Sequence, residues 1–350
     1  MTFVVILILL ITLLYTGMPM FAGMILFSGA VLWWVEGELG TFGEFVFGKL
    51  DVYLLVSIPL FMLMAHFMVR GRIVDDLYNT AHTLLRHLPG GLGVATVAAC
   101  AVFAAISGSS VATALTIGAV AIPQMLRFNY DRLGAYGVVA GGGTLGILIP
   151  PSAPMILYGF VSDTSIGALF MAGVLPGIMI SAIFAAWCMF TEYRREKKLG
   201  AAYVRPKRAS LPEAATAIRK SFWALILPPF VLGGMYFGVF TATEAAGAGA
   251  LLALVIAAVI YRQFGWKDLW DGGEEAARTS AVLFMIIVGA ALFGYMLTKL
   301  NIPAEAVALA LKYNVSQTEF LIAVMILIFV LGLILESISI ILITTPVILP

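Results

Sequence analysis

Two apolar runs, residues 91–106 and 111–122, meet at Ser107-Gly108-Ser109-Ser110. A bilayer's hydrocarbon takes ~20 apolar residues to cross as a helix, so neither run is comfortably long enough alone. A glycine and three hydroxyls at that depth leave backbone groups without partners. Lipid tolerates this only where the break is buried in protein or faces a wet cavity. Two folds satisfy the constraint. One is a single membrane helix with a hinge at Gly108. The other is a re-entrant hairpin whose two half-helices meet at the break, where carbonyls and hydroxyls can hold a cation and helix N-termini can hold an anion.

The rest of the chain puts that break in a membrane. Hydrophobic residues make up 62% of the 350 and charged residues only 11%, which is the composition of a polytopic all-α membrane protein. A net charge of +1 carries no nucleic-acid footprint. Cys100 and Cys188 lie in apolar runs without metal-ligand spacing and read as packing residues. The three histidines, His66, His82 and His87, are scattered. No Ser–His, Asp–Asp or His-Glu-x-x-His constellation supports an intramembrane enzyme, and no repeated ring of pore-lining groups supports a channel.

In order, residues 2–15 predict a short apolar helix, not a removable signal peptide, since a basic n-region and a cleavage site are missing. Residues 20–35 follow as a second helix ending at the interfacial pair Trp33 and Trp34. Residues 52–69 predict a span. Residues 73–88 predict an amphipathic helix along the membrane surface. After the hairpin, residues 133–142 predict a helix of small residues. Gly141-Gly-Gly-Thr144 and Pro150-Pro-Ser-Ala-Pro154 predict a second broken segment. Residues 166–190 predict a span. Residues 192–220 predict a long loop, cytoplasmic by its Lys/Arg excess. In the second half, residues 222–240 and 245–261 predict spans, with Thr243 as N-cap and Glu244 at the positive end of the dipole. Residues 266–278 predict another surface stretch, 279–297 a span and 303–313 a short amphipathic helix. The run from 318 to 335 leads to a second polar break, Glu336-Ser-Ile-Ser339.

The halves echo each other. Ser57-Ile-Pro-Leu-Phe-Met62 resembles Ser280-Ala-Val-Leu-Phe-Met285. Each is followed by an amphipathic piece and an apolar run ending in a break, at 107–110 and at 336–339. Paired breaks at matching places point to the binding site of a secondary transporter built on inverted repeats. The first repeat continues past Pro123 while the second reaches residue 350, so the C-terminal counterpart of the Pro-Pro segment is expected to be missing. The organisation expected is an N-terminal part with a surface arm (1–90), a first hairpin and broken helix (91–191), a basic loop (192–220), a second set of scaffold and arm helices (221–317) and a second hairpin (318–350).

Four segments stand in an order that resembles one family: residues 105–113, Ile149-Pro-Pro-Ser152, Thr241-Ala-Thr-Glu-Ala-Ala246 and Thr344-Thr-Pro-Val-Ile-Leu-Pro350. Over essentially the whole chain the sequence is similar to the large membrane subunit, DctM type, of tripartite ATP-independent periplasmic (TRAP) transporters. The resemblance implies an elevator-type fold in a bacterial inner membrane. Its partners would be a small DctQ-like membrane subunit and a DctP-like periplasmic binding protein. The function implied is sodium-driven uptake of an organic acid anion such as a C4-dicarboxylate or sialic acid. A stand-alone anion symporter of related architecture is the alternative. For Na+, the resemblance implies Ser107, Gly108 and Ser109 at the first tip, Gly142, Gly143 and Thr144 in an unwound segment facing it, and Glu336, Thr344 and Thr345 at the second hairpin. For the substrate it implies Ser109, Ser110, Pro151 and Ser152. Glu336 is alternatively a structural cap, and Thr344 and Thr345 alternatively bond carbonyls one turn back. His66 stands where relatives often carry an acid, and is expected to be a packed, hydrogen-bonded histidine.

Overall fold

A computed structural model describes residues 9, 12, 16–37, 42–71, 73–199, 206–262, 264–333 and 335–348. The helix expected over 2–15 lies outside the described residues. Among the described residues there are fifteen α-helices: α1 Met20–Glu36, α2 Phe42–Leu50, α3 Ser57–Arg70, α4 Ile73–Leu85, α5 Gly91–Ser107, α6 Ser110–Arg127, α7 Arg132–Leu148, α8 Ala153–Ser162, α9 Ile166–Leu199, α10 Leu211–Tyr236, α11 Ala242–Val255, α12 Trp266–Lys299, α13 Ile302–Lys312, α14 Gln317–Gly332 and α15 Ser337–Ile348. No strand occurs among the described residues. Among the described residues, seven stretches are long and apolar enough to cross a membrane. One of them, Arg132–Ser162, is interrupted in its backbone between α7 and α8.

The chain divides into two compact units. Residues 56–156 and 165–277 form one; residues 1–55, 157–164 and 278–350 form the other. In the first, α5, α6 and α7 pack on one another, with α4 and α9 against α5. Its core is made by Tyr78, Cys100, Phe103, Ile117, Met125 and Leu145, among others. In the second, α15 packs on α13 and α14, and Leu331, Ile338, Leu342 and Ile343 are buried.

Helix boundaries follow local chemistry. Ser210, Thr241 and Ser316 each open a helix with a reciprocal capping box to the Glu three residues on, satisfying two orphan donors at once. Thr241 is therefore the N-cap of α11, and the expectation for Thr243 is corrected. Thr243 lies inside the first turn and is buried. At α6, Ser109 is the cap.

Three further expectations are corrected. Residues 192–199 are not loop. They extend α9, because Glu, Arg and Lys are good helix formers and pair locally: Arg194 stacks on Phe190 at 4.4 Å and Arg195 reaches Glu192 at 3.3 Å. Residues 211–220 likewise belong to α10, started by the Ser210 box. Residues 266–278 do not form a separate surface helix. They run without a break into the following span as α12. No proline intervenes, and Gly272 lies against the Phe67 ring, where an added Cβ would sit at 3.5 Å. The third correction concerns α7. It continues through Gly141-Gly-Gly-Thr144 to Leu148, and the interruption falls at the prolines.

Candidate functional site

The first break is a helical hairpin tip. α5 ends at Ser107, Gly108 takes φ 59°, and Ser109 is extended before α6 begins. Only glycine enters that left-handed region cheaply. The polar atoms of the tip are largely spent on each other. The Ser107 and Thr113 hydroxyls are 2.8 Å apart. Thr113 Oγ1 donates to the Ser109 carbonyl at 2.8 Å, and the Ala112 amide donates to Ser109 Oγ at 3.4 Å. Ser107 and Thr113 are buried; Ser109 and Ser110 are half-buried.

The tip is seated against α7 and the turn that follows it. A Cβ at Gly146 would stand 2.3 Å from the Ser109 carbonyl oxygen, at Gly143 2.7 Å from Ala114 Cβ, and at Gly142 2.7 Å from Cys100 Sγ. This close approach explains why α7 stays helical. Each internal glycine costs a helix about 0.5–1 kcal/mol, and the packing it permits offsets that. The helix ends instead at Ile149. Its ψ of 123° is extended, as the residue before a proline prefers. Pro150-Pro151 is a cis peptide.

The turn then meets the tip directly. The Ala153 amide donates to the Gly108 carbonyl at 3.4 Å, and a Cβ on Gly108 would lie 2.7 Å from the Pro151 carbonyl oxygen. Ser152 caps α8, its Oγ accepting from the Met155 amide at 3.4 Å. The N-termini of α6 and α8 thus adjoin one another at Gly108. Both are electropositive ends with orphan amides.

Of the residues expected at this site, the structure gathers Ser107, Gly108, Ser109, Ser110, Gly142, Gly143, Pro151 and Ser152 around the tip. Pro151 and Ser152 are buried. Thr144 is not gathered. It is exposed, and its hydroxyl donates to the Gly141 carbonyl at 2.7 Å. The expected unwound segment at 142–144 does not exist, for the packing reason just given. Two members went unpredicted: Thr113, whose spacing four residues after Ser109 is the signal for a back-bonding hydroxyl, and Gly146.

In the other unit, α14 ends at Gly332 and α15 begins at Ser337. The Glu336 carbonyl accepts from the Ile340 amide at 3.0 Å, which makes Glu336 the residue leading into α15. Its side chain is exposed. Thr344 and Thr345 are buried; the Thr344 hydroxyl donates to the Ile340 carbonyl at 2.7 Å. His66 lies on α3, with Nδ1 3.1 Å from Glu275 Oε2. Arg70 also reaches Glu275, at 3.2 Å, and Asp271, at 3.5 Å. His66 therefore faces a carboxylate within a charged cluster.

Comparison with known proteins matches residues 7–350 to the family described as the DctM component of the tripartite ATP-independent periplasmic transporter. A C4-dicarboxylate TRAP transporter large permease protein DctM from Rhodobacter capsulatus is 36% identical over 357 residues, covering 98% of this chain and 80% of the relative. The protein of that name from Pseudomonas aeruginosa is 37% identical over 305 residues, covering 87% and 70%. A sialic acid TRAP transporter large permease protein SiaM from Vibrio cholerae is 31% identical over 339 residues, covering 97% and 78%. This family is one of transporter subunits, not enzymes. The chain belongs to it: it is an integral membrane protein of the DctM family, the large permease component of a TRAP transporter.

Proposed function

We propose that the chain imports an organic acid anion across a bacterial inner membrane. In this reading a DctP-like periplasmic binding protein delivers the substrate, a DctQ-like small subunit completes the membrane part, and a sodium gradient supplies the drive. The observation that carries the reading is the Gly108 tip, where two helix N-termini adjoin beside a cluster of hydroxyl and carbonyl oxygens. A carboxylate is attracted to such N-termini. Sodium, a hard cation, suits carbonyl and hydroxyl ligands of unwound backbone.

The donor set fits that ion. Ser107, Ser109 and Thr113 offer neutral oxygens, and no cluster of three His, Cys, Asp or Glu occurs among the described residues. The Ser107–Thr113 hydrogen bond occupies one lone pair of that set. Sodium entry therefore competes with that bond, and the two hydroxyls are the tip's exchangeable ligands. Glu336, at the start of α15, supplies a negative charge for the second hairpin, with Thr345 as the hydroxyl there. The substrate carboxylate is assigned to Ser109 and Ser110, since Ser152 is fully buried. C4-dicarboxylates are the favoured class because two relatives at 36% and 37% identity carry that name. Inverted repeats and an elevator motion of the hairpins are supported by the paired breaks, one between Ser107 and Ser110 and one between Gly332 and Ser337.

The test is uptake of labelled C4-dicarboxylate and sialic acid into proteoliposomes holding the full transporter with its binding protein. Uptake is expected to stop when sodium is replaced by choline. S107A is expected to raise the sodium concentration for half-maximal uptake about fivefold, the effect of losing about 1 kcal/mol of ligand interaction. Uptake indifferent to sodium would overturn the coupling.

A further inference from the structure

The amino-terminal turns of α10 present a face that is not part of the Gly108 site. The opposite side of the helix is committed. The Thr80 hydroxyl on α4 lies 2.9 Å from the Ala217 carbonyl and 2.6 Å from Ser221 Oγ, and Ser221 Oγ lies 2.7 Å from the Asp76 carbonyl. The Tyr261 hydroxyl donates to the Lys220 carbonyl at 2.8 Å. Held in this way, α10 offers its free side as a fixed surface. There Ala215, Ile218, Arg219, Phe222 and Trp223 line an open depression of about 590 Å³. Their spacing is that of one helix face. Ala215 leaves the depression, and the Phe222 and Trp223 rings, edge to face with centroids 5.3 Å apart, form its aromatic wall.

Arg219 is exposed at this depression, and no acidic side chain pairs with it among the described residues. Glu213, the acid in the first turn of α10, is taken by Arg86 at 2.8 Å. Lys207, Arg208 and Lys220 are exposed on the same end. An unpaired guanidinium one turn from an aliphatic and aromatic wall, at the Lys/Arg-rich end of a span, has the chemistry of a lipid headgroup site.

We propose that this face of α10 binds an anionic phospholipid of the cytoplasmic leaflet, its phosphate on Arg219 and an acyl chain along Ile218 and Phe222. A free phosphate would find the cation and nothing to use the apolar wall, so the lipid is the occupant. The site is independent of the transported anion.

Native mass spectrometry of the full chain in detergent tests this, with phosphatidylglycerol, phosphatidylcholine and inorganic phosphate added in separate titrations. Phosphatidylglycerol is expected to be retained about fivefold more tightly than phosphatidylcholine, the share of one cation near the surface. Inorganic phosphate is expected not to displace it, and R219Q to lose the preference. In the unmodified protein, phosphatidylglycerol with brominated chains is expected to quench tryptophan emission more than brominated phosphatidylcholine does, and W223F to remove that difference. Equal retention of the two lipids, displacement by inorganic phosphate, a preference surviving in R219Q, or quenching unaffected by W223F would each overturn the proposal.

Discussion

Single glycines decide whether the hairpin tip can close on α7, and they are not equivalent. Gly108 is held at φ 59° with the Pro151 carbonyl oxygen 2.7 Å from where a Cβ would go. The left-handed backbone alone costs an ordinary residue about 1–2 kcal/mol, so G108A is expected to lose more than that in stability. G146A has a normal helical backbone but would drive Cβ to 2.3 Å from the Ser109 carbonyl oxygen. Backbone there must move, so G146A is expected to lower the melting temperature in detergent as well. Gly137, on the same helix, has nothing within 4 Å. G137A is expected to gain about 0.5–1 kcal/mol from reduced unfolded-chain entropy. Equal effects at 146 and 137 would mean that the tip does not rest on α7. The sequence showed the glycines at 141–143 without showing which way they would act. Read locally they weaken a helix; their partners Cys100 and Ala114 sit 29 or more positions away and cannot be read from spacing.

Elements were legible where their signals are local. The break at 107–110 needs only its own four residues, and the 241–244 box is a four-residue pattern. The continuous α12 and the extended α9 were missed because composition changes from polar to apolar within one helix. Polarity marks where a helix meets water and says nothing of where it ends. The α4–α10 pairing was invisible for another reason: Thr80 and Ser221 are separated by 141 positions. Their two hydroxyl hydrogens serve three short contacts, so two are made at a time. T80V is expected to cost about 0.6–1.7 kcal/mol, the range for interhelical hydrogen bonds in membrane proteins, measured by thermal melting. His82, on the same α4, gives this element a pH dependence. Burial, reinforced by Arg86, holds its imidazole below the ordinary value of 6.5. The unfolded chain therefore binds a proton at a pH where the folded chain does not. Stability is unaffected above 6.5 and falls as the pH drops below it. Melting temperature is expected to decrease from pH 7.5 to 5.5, and H82Q to reduce that decrease.

At the scale of the molecule, the lengths of the long helices set what crosses the bilayer. α9 and α12 have 34 residues each, about 51 Å at 1.5 Å per residue, against a hydrocarbon thickness of about 30 Å. Each must project, and in α9 the projecting end is the charged one, residues 192–199. α10, with 26 residues, spans about 39 Å and carries its cations at the opposite end from Phe237-Gly-Val-Phe240. Residues 192–220 hold nine Lys and Arg against three Glu, a bias that keeps a segment on the cytoplasmic side. Residues 237–240 hold no charge and follow the far end of α10. K207C and V239C should therefore face opposite compartments. An impermeant maleimide added to whole cells is expected to label V239C at once and K207C only after permeabilisation. Cys100 and Cys188 are buried and contribute little background, which the unsubstituted chain measures. Labelling of both positions from one side would mean that α10 does not cross, and with it would go the cytoplasmic placement of Arg219 and its lipid.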